Sequence, residues 1–569
     1  MKQLITLILL SIWGATFMIA QPINKPTLEK TLAEAKKLEE ARDYIQALEW
    51  YEKAYEESED RSLLYPIAML SIRVRDYRKA ERRLRSILRR DEGLYPDAKY
   101  WFGKMLKMNE KYDEAILELQ DFIVETSDIE LKKRAQLELL GAEMGKEMPP
   151  ATSVEVEHAG KNVNDKQGQY SPVLVGANMM YFAGFDTDDL ITIDEEAEEY
   201  HAKIYQASKS DRGWDKPTAL DQKINRTEFH NSNVYVTPDG SRMFFTRALL
   251  LGNELEKSVI MVSESEGSSW KGAEEVQGVN GDYIAKNPVV GELFAKEVLF
   301  FVSNMEGGEG GFDIYYATRN EDGSYADPIN LGPTINTAAD EETPFYRDGT
   351  LYFSSEGYPS LGGYDVFYST WDGTKWSQPA NMGKGFNSSV DDMYFSLDEE
   401  GYRGVLVSNR AGTRSVGSKT CCNDIFQFEI AKITADIVVG TFTDDKQPLK
   451  GASVTLTEID ADPYSQSNEK GNVFNFPLAI ERTYKIVANH PSYFPDSTEI
   501  TTADLTESKS FEHRFYLIKM PPPPPPEPEF DTIYSDEPIE LSNIYYIFNE
   551  VKFVDGSEQD LELIYELMT

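Results

Sequence analysis

One unit of sequence recurs five times between residues 153 and 431, and a chain that repeats itself in this way folds by stacking like upon like. Each copy opens with a polar-apolar lead-in and a turn, then runs into an aromatic strand. The copies are Ser171-Pro172 with Met180-Tyr181-Phe182, Ser232-Asn233-Val234 with Met243-Phe244-Phe245, and Asn287-Pro288-Val289 with Leu299-Phe300-Phe301. Thr343-Pro344-Phe345 with Leu351-Tyr352-Phe353 and Met393-Tyr394-Phe395 with Val405-Leu406-Val407 complete the set.

The spacing, roughly 50 to 60 residues, suits four-stranded propeller blades, which bury both faces against their neighbours and so need apolar residues on successive strands. A second strand pair repeats as well. Gly311-Phe312-Asp313-Ile314-Tyr315 matches Gly363-Tyr364-Asp365-Val366-Phe367 and, less closely, Cys422-Asn423-Asp424-Ile425-Phe426. The aspartate in each is expected to bond turn backbone. Blades end at Trp214, Trp270, Tyr325 and Trp376, and three of these ends run into Ile224-Asn225, Ile335-Asn336 and Phe386-Asn387. The expectation is a propeller of about five blades, with a strand near Val154 to Glu157 pairing into the last blade to close the ring. Tyr235-Val-Thr-Pro238-Asp239-Gly240 resembles the repeat of TolB-type periplasmic propellers. The acidic stretch Asp186 to Glu199 reads as a surface insertion, either a solvated loop or a calcium site.

Residues 27–148 have a different texture, rich in Ala, Leu, Glu and Lys. Tyr44-x-x-Ala47, Tyr77-x-x-Ala80 and Tyr112-x-x-Ala115 repeat, with Ala35, Ala68 and Gly103 ahead of each Ala and Ala54, Ile87 and Phe122 behind it. Antiparallel helices cross closely only where side chains are small. The segment resembles a tetratricopeptide array of three units with a capping helix near Ile129 to Lys146, and a plain helical bundle is the alternative. Such an array implies a groove for a partner.

Beyond the propeller, residues 432–519 alternate as strands, and Pro448-Leu-Lys-Gly451-Ala-Ser-Val454 with Gly471-Asn-Val-Phe474 resembles a carboxypeptidase regulatory-like sandwich. Residues 520–540, with prolines 521 to 526, read as a stiff linker. Ile544 to Asn549 and the amphipathic stretch Ser557 to Met568 resemble the opening strand and helix of an OmpA-like peptidoglycan-binding domain over 541–569. The chain stops at Thr569 before the family's ligand-binding positions, so truncation is expected.

At the other end, Met1-Lys2, the apolar run Leu4 to Ile19 and the small residue Ala20 read as a signal peptide over residues 1–20, with an uncleaved anchor helix as the alternative. Periplasmic localisation at the outer membrane follows as an expectation. Net charge is −40, from 97 acidic and 57 basic residues, which argues against nucleic acid and against an anionic membrane surface. The two cysteines, Cys421 and Cys422, are adjacent and cannot form an unstrained disulfide with each other. A buried or loop position and a redox role are both open for them.

No nucleophile elbow, His-Glu-x-x-His or phosphate-cradling glycine loop is present, and Glu306-Gly-Gly-Glu-Gly-Gly311 reads as a hairpin loop. His158, His201, His230, His490 and His513 are scattered, and carboxylates are too numerous for any pair to stand out. No catalytic, cofactor-binding or metal-binding residue is assigned, the binding residues are unknown, and no cofactor is expected.

The fold class is thus a multi-domain chain: an all-α tetratricopeptide array, an all-β propeller, a β-sandwich and the start of an α/β OmpA-like domain. That order resembles OmpA-family periplasmic proteins associated with type IX secretion. The resemblance implies a non-enzymatic scaffold, with outer-membrane and periplasmic proteins as partners, and peptidoglycan if the last domain is completed. A generic wall-linked protein and a glycan-binding or glycan-active propeller are the alternatives.

Overall fold

A computed structural model describes residues 27–165, 168–185, 191–193, 197–199, 201–251, 254–413, 422–458, 462–503, 505, 507–522 and 557–568. The expected signal peptide, most of the acidic insertion, Cys421, nearly all of the proline linker and the strand expected at 544–549 lie outside the described residues. Cys422 is half-buried. No described helix is long and apolar enough to cross a membrane. The chain divides into two compact units, Met1–Lys432 and Ile433–Thr569.

In the first unit, five antiparallel sheets of four or five strands stand as blades around one axis. Their innermost strands are Gln169–Val175, His230–Val236, Ala285–Leu293, Glu341–Arg347 and Asp392–Leu397, each touching the next and the fifth touching the first. The strand Val154–His158 pairs antiparallel with Asp424–Ile430, so the chain's first strand completes its last blade and closes the ring. The second strands carry the packing: Phe244, Phe245, Phe300, Phe301 and Phe353 are all fully buried.

A single asparagine in each blade does what a further strand would do. The backbone N–H of Ile204, Ile260, Ile314, Val366 and Ile425 donates to the side-chain oxygen of Asn225, Asn280, Asn336, Asn387 and Asn164 respectively, at 2.7–2.8 Å. The same amide's nitrogen donates back to the same residue's carbonyl at 2.9–3.0 Å. Each amide therefore satisfies both polar groups of a buried third-strand residue. In the third and fourth blades an aspartate adds a second tie. Asp313 accepts from Glu309 N and Gly310 N, and Asp365 from Leu361 N and Gly362 N, which fastens the glycine loop to its strand.

Among the described residues seven α-helices precede the ring: α1 (Leu28–Glu40), α2 (Tyr44–Ser58), α3 (Leu64–Arg73), α4 (Tyr77–Leu88), α5 (Ala98–Met108), α6 (Tyr112–Glu125) and α7 (Ile129–Glu147). Ala35, Ala47, Ala68, Ala80 and Ala115 are buried where these helices cross. The expected fold class, a tetratricopeptide array followed by separate modules, is corrected here. Strands dominate the chain, 31 against eight α-helices among the described residues, and the helices are confined mainly to its start. They do not stand as a separate unit, because they share one compact unit with the ring.

Helices α5 and α7 pack directly on loops of the fourth and fifth blades. Lys107 on α5, 2% exposed, donates to Ser360 O at 2.9 Å and pairs with Glu138 on α7 at 2.6 Å. Lys104 reaches the other Glu138 oxygen at 2.9 Å. A Cβ on Gly141 of α7 would lie 2.2 Å from Ser360 O, so only glycine permits this approach. Val390 of the fifth blade belongs to the apolar core of the helices themselves.

In the second unit, a three-stranded sheet containing Ala435–Thr443 and a four-stranded sheet containing Ala452–Glu458 share one core that includes Ile437, Phe476, Ile486 and Phe515. The helix α8 (Ser557–Met568) is the last described element.

Asn336→Ala should lower stability by about 2 kcal/mol, because it leaves the buried N–H of Ile314 unpaired while the C=O keeps only its bond from Leu331 N. The loss will be read from the urea midpoint, and a change within error would show that the amide pairing is dispensable. Lys107→Met should cost about 3 kcal/mol, by leaving half of a buried carboxylate unpaired. Burial pushes the Glu138 carboxyl up, but the Lys104 and Lys107 ammonium groups outweigh it and hold the group down at about 2. The pairing thus stabilises the fold above the ordinary value of 4.5 and is lost as pH falls toward about 2. The variant's deficit should shrink over that window.

Candidate functional site at the channel mouth

The ring's axis is shaped by one irregularity repeated five times. Every innermost strand breaks register with its neighbour at the residue pair that opens the repeat. There Ser171, Asn233, Asn287, Thr343 and Tyr394 take left-handed backbone, with φ between 49° and 53°. A β-bulge of this kind re-aims side chains. Thr343 Oγ1 accepts from Tyr394 N at 3.1 Å, and Ser171 Oγ accepts from Val234 N at 3.3 Å, so polar groups of adjacent blades hold one another.

Tyr394 crosses the axis. It leaves the fifth blade and its hydroxyl donates to Asn233 Oδ1 of the second blade at 3.0 Å. The fifth blade packs on the first and the fourth, so a bond from it to the second blade reaches across the channel. The space left beside the five residues is about 40 Å³. That volume admits water and excludes a sugar ring.

Just before each bulge residue stand Tyr170, Ser232, Lys286, Glu342 and Met393. They belong to the helix-facing end of the channel, and this mouth has two contrasting walls. On the third to fifth blades, Lys286 Nζ pairs with Glu342 Oε1 at 2.5 Å and lies 3.6 Å from the centre of the Phe312 ring. The Tyr364 hydroxyl donates to Asp340 Oδ2 at 3.3 Å, and Asp340 Oδ1 accepts from Phe312 N at 2.8 Å. Burial raises the Tyr364 hydroxyl above its ordinary range, and the nearby Glu356, Glu342, Asp340 and Asp391 carboxylates raise it further. Glu342 is pushed up by burial; Lys286 opposes the shift and Asp340 adds to it.

The helices contribute to this wall. Arg75, in the turn between α3 and α4, pairs with Asp391 Oδ2 at 3.3 Å and bonds Asn423. Tyr77 OH donates to Asp391 Oδ2 at 3.2 Å. Asp391 is consumed by these bonds and serves as an anchor between helices and ring.

The opposite wall is aromatic. Tyr170 meets Phe185 edge-on at 6.1 Å, Phe185 meets His230 at 6.3 Å, and His230 lies 5.0 Å from His201 between ring centres. The sequence left the histidines scattered, and the fold brings these two together. His230 Nδ1 accepts from Ala202 N at 3.3 Å. Among the described residues no group of three or more His, Cys, Asp or Glu is placed to hold a metal ion.

The five copies carried a signal for this site. Reading the residue before each bulge gives Tyr, Ser, Lys, Glu and Met, and the two charged members are the ones that pair. Asp340 and Tyr364 had no such marker. The sequence singled out no residue here, and the fold gathers carboxylates around one tyrosine at this mouth.

No family's sequence model matches the chain, and no curated protein matches it. Among solved structures, similarity is found to an α-L-arabinofuranosidase from Lactobacillus brevis, at 13% identity over 49% of this chain and 93% of that one, with a TM-score of 0.31. An endo-arabinase from Bacteroides thetaiotaomicron is 14% identical over 48% of this chain and 98% of its own, with a TM-score of 0.30. A thermostable family-43 glycoside hydrolase is 12% identical over 47% and 90%, with a TM-score of 0.31.

The assignment to OmpA-family periplasmic proteins, and with it the non-enzymatic secretion scaffold gripping peptidoglycan, is corrected. No family model and no curated protein supports that assignment, the three solved structures named above belong to other kinds of protein, and the helices that were to hold a partner are packed on the ring.

His230 supplies a test of the aromatic wall. Burial, helped by His201, lowers its imidazole from 6.5 to about 4. The unfolded chain takes up this proton first, so the contribution to stability is complete above the ordinary value and declines as pH falls toward about 4. His230→Gln should flatten the melting temperature against pH over that interval relative to the parent protein. Parallel curves would mean that the ring is hydrated and titrates normally.

Proposed function

We propose that the chain binds a glycan at the channel mouth and cleaves it hydrolytically. The observation that carries this reading is Tyr364, set among Glu342, Asp340, Asp391 and Glu356, at a mouth that also holds the aromatic group of Tyr170, Phe185 and His230. A sugar presents apolar C–H faces and a rim of hydroxyls. Aromatic rings cover the first and carboxylates accept from the second.

Glycoside cleavage needs one carboxyl that holds a proton and one that stays ionised. Glu342, pushed up by burial, suits the proton donor to the glycosidic oxygen. Asp340, which accepts from Phe312 N and from the Tyr364 hydroxyl, is placed beside it as the candidate base that draws a proton from water. Lys286 holds Glu342 in place and limits how far its proton affinity rises. An exported protein would meet such polymers outside the cytoplasm, and the apolar run near the start of the chain supports that placement.

The test is a panel of polysaccharides in affinity gels, with reducing-end release measured in parallel. Retardation by at least one polymer is expected, together with sugar release that Glu342→Gln lowers about a hundredfold or more. Tyr170→Ala should weaken retardation without abolishing release. If no polymer is retained or cleaved, the glycan reading fails; retention without release leaves a binding module and removes the role given to Glu342.

A further inference from the structure

The charge of the chain is unevenly spent. Net charge is −40, yet residues 73–90 hold nine Lys or Arg against two acids. Most of these cations have local work. Lys79 and Arg83 pair with Glu52, Arg85 pairs with Glu81 and Glu114, Arg75 is bound at the mouth, and Arg73 lies over the Tyr44 ring. Arg78, Arg82, Arg89 and Arg90 do not. All four are exposed and make no ion pair among the described residues.

Their placement is not explained by the helix that carries them. Arg78, Arg82 and Arg89 fall at intervals of four and seven along α4 and its C-cap, so they form one stripe on one face. Like charges four apart on a helix repel. Arg78 also stands in the first turn, where the helix dipole disfavours a cation. Only Arg89 and Arg90, at the far end, sit where that dipole favours them.

We propose that this stripe is a docking surface for a short acidic polypeptide segment. The guanidinium fork matches a carboxylate in two parallel hydrogen bonds. Eleven residues of helix span about 17 Å, a length that an extended peptide covers in about five or six residues. The rest of the molecule selects for a short ligand. A long polyanion running past the stripe meets a surface of its own sign, whereas a segment confined to within ~10 Å of the arginines feels mainly them. Nucleic acid and anionic bilayers are thereby disfavoured against a local run of Asp or Glu.

The experiment uses the full chain and fluorescein-labelled oligoglutamate, read by anisotropy at physiological ionic strength, with oligoglutamine as the uncharged control. Saturable binding of oligoglutamate alone is expected. The triple variant Arg78→Gln, Arg82→Gln, Arg89→Gln should weaken it at least tenfold while leaving the melting temperature within a few degrees. A second variant with lysine at the same three positions keeps the charge and loses the fork, and should bind with intermediate affinity. Oligoglutamate binding that is absent, or unchanged in the glutamine variant, overturns the proposal. So does tighter, arginine-dependent binding of single-stranded DNA or phosphatidylglycerol vesicles, which would make the stripe a general polyanion surface. If the glutamine variant fails to fold, the lysine variant decides: affinity equal to that of the parent protein removes the recognition by paired hydrogen bonds.

Discussion

Five side-chain amides hold this molecule's ring in register. A propeller blade must end somewhere, and the buried polar groups of its third strand would be orphaned wherever the fourth strand is too short to reach them. Here the fourth strands are short, two residues in the third and fourth blades, and the asparagine takes over where they stop. Because each amide both accepts and donates, it fixes the approach of the incoming connection as well as its distance. The next blade's inner strand then starts from a defined point, and the bulges and the mouth inherit their geometry from it.

The helices add a constraint of a different kind. Their ties to the ring are charged or polar and largely buried: Lys107, itself paired with Glu138, on Ser360 O, and Arg75 and Tyr77 on Asp391. Such contacts are poor sources of net stability and strict sources of geometry, since any slippage exposes an unpaired charge to an apolar surrounding. The turn carrying Arg75 is thereby held against the channel mouth, and the same helical segment closes one side of the site while displaying a basic face elsewhere.

Much of the ring was legible in the sequence. Aromatic strands, turn residues and three of the five asparagines repeat openly, and the closing strand near Val154 follows from the need to cover an edge. Asn164 and Asn280 escaped notice because they follow valine, where the visible copies show isoleucine or phenylalanine. The helical repeat was visible too, but periodicity reports which residues are buried and is silent on what buries them. Ala and Gly at fixed intervals serve helix crossings and close contact with a foreign loop equally well, as Gly141 against Ser360 shows. The mouth was the least legible part. With 97 acidic residues in the chain, a functional carboxylate is statistically invisible. Only the register of the bulges singles out Glu342, and register is a property of paired strands.

Tyr394 gives the channel a floor. With a tyrosine hydroxyl bonded from one blade to another across the axis, nothing wider than water passes through, so whatever enters must back out along its own path. A long chain could not be threaded through such a cul-de-sac; a ligand there would present a tip or a short branch and leave by the doorway it came in.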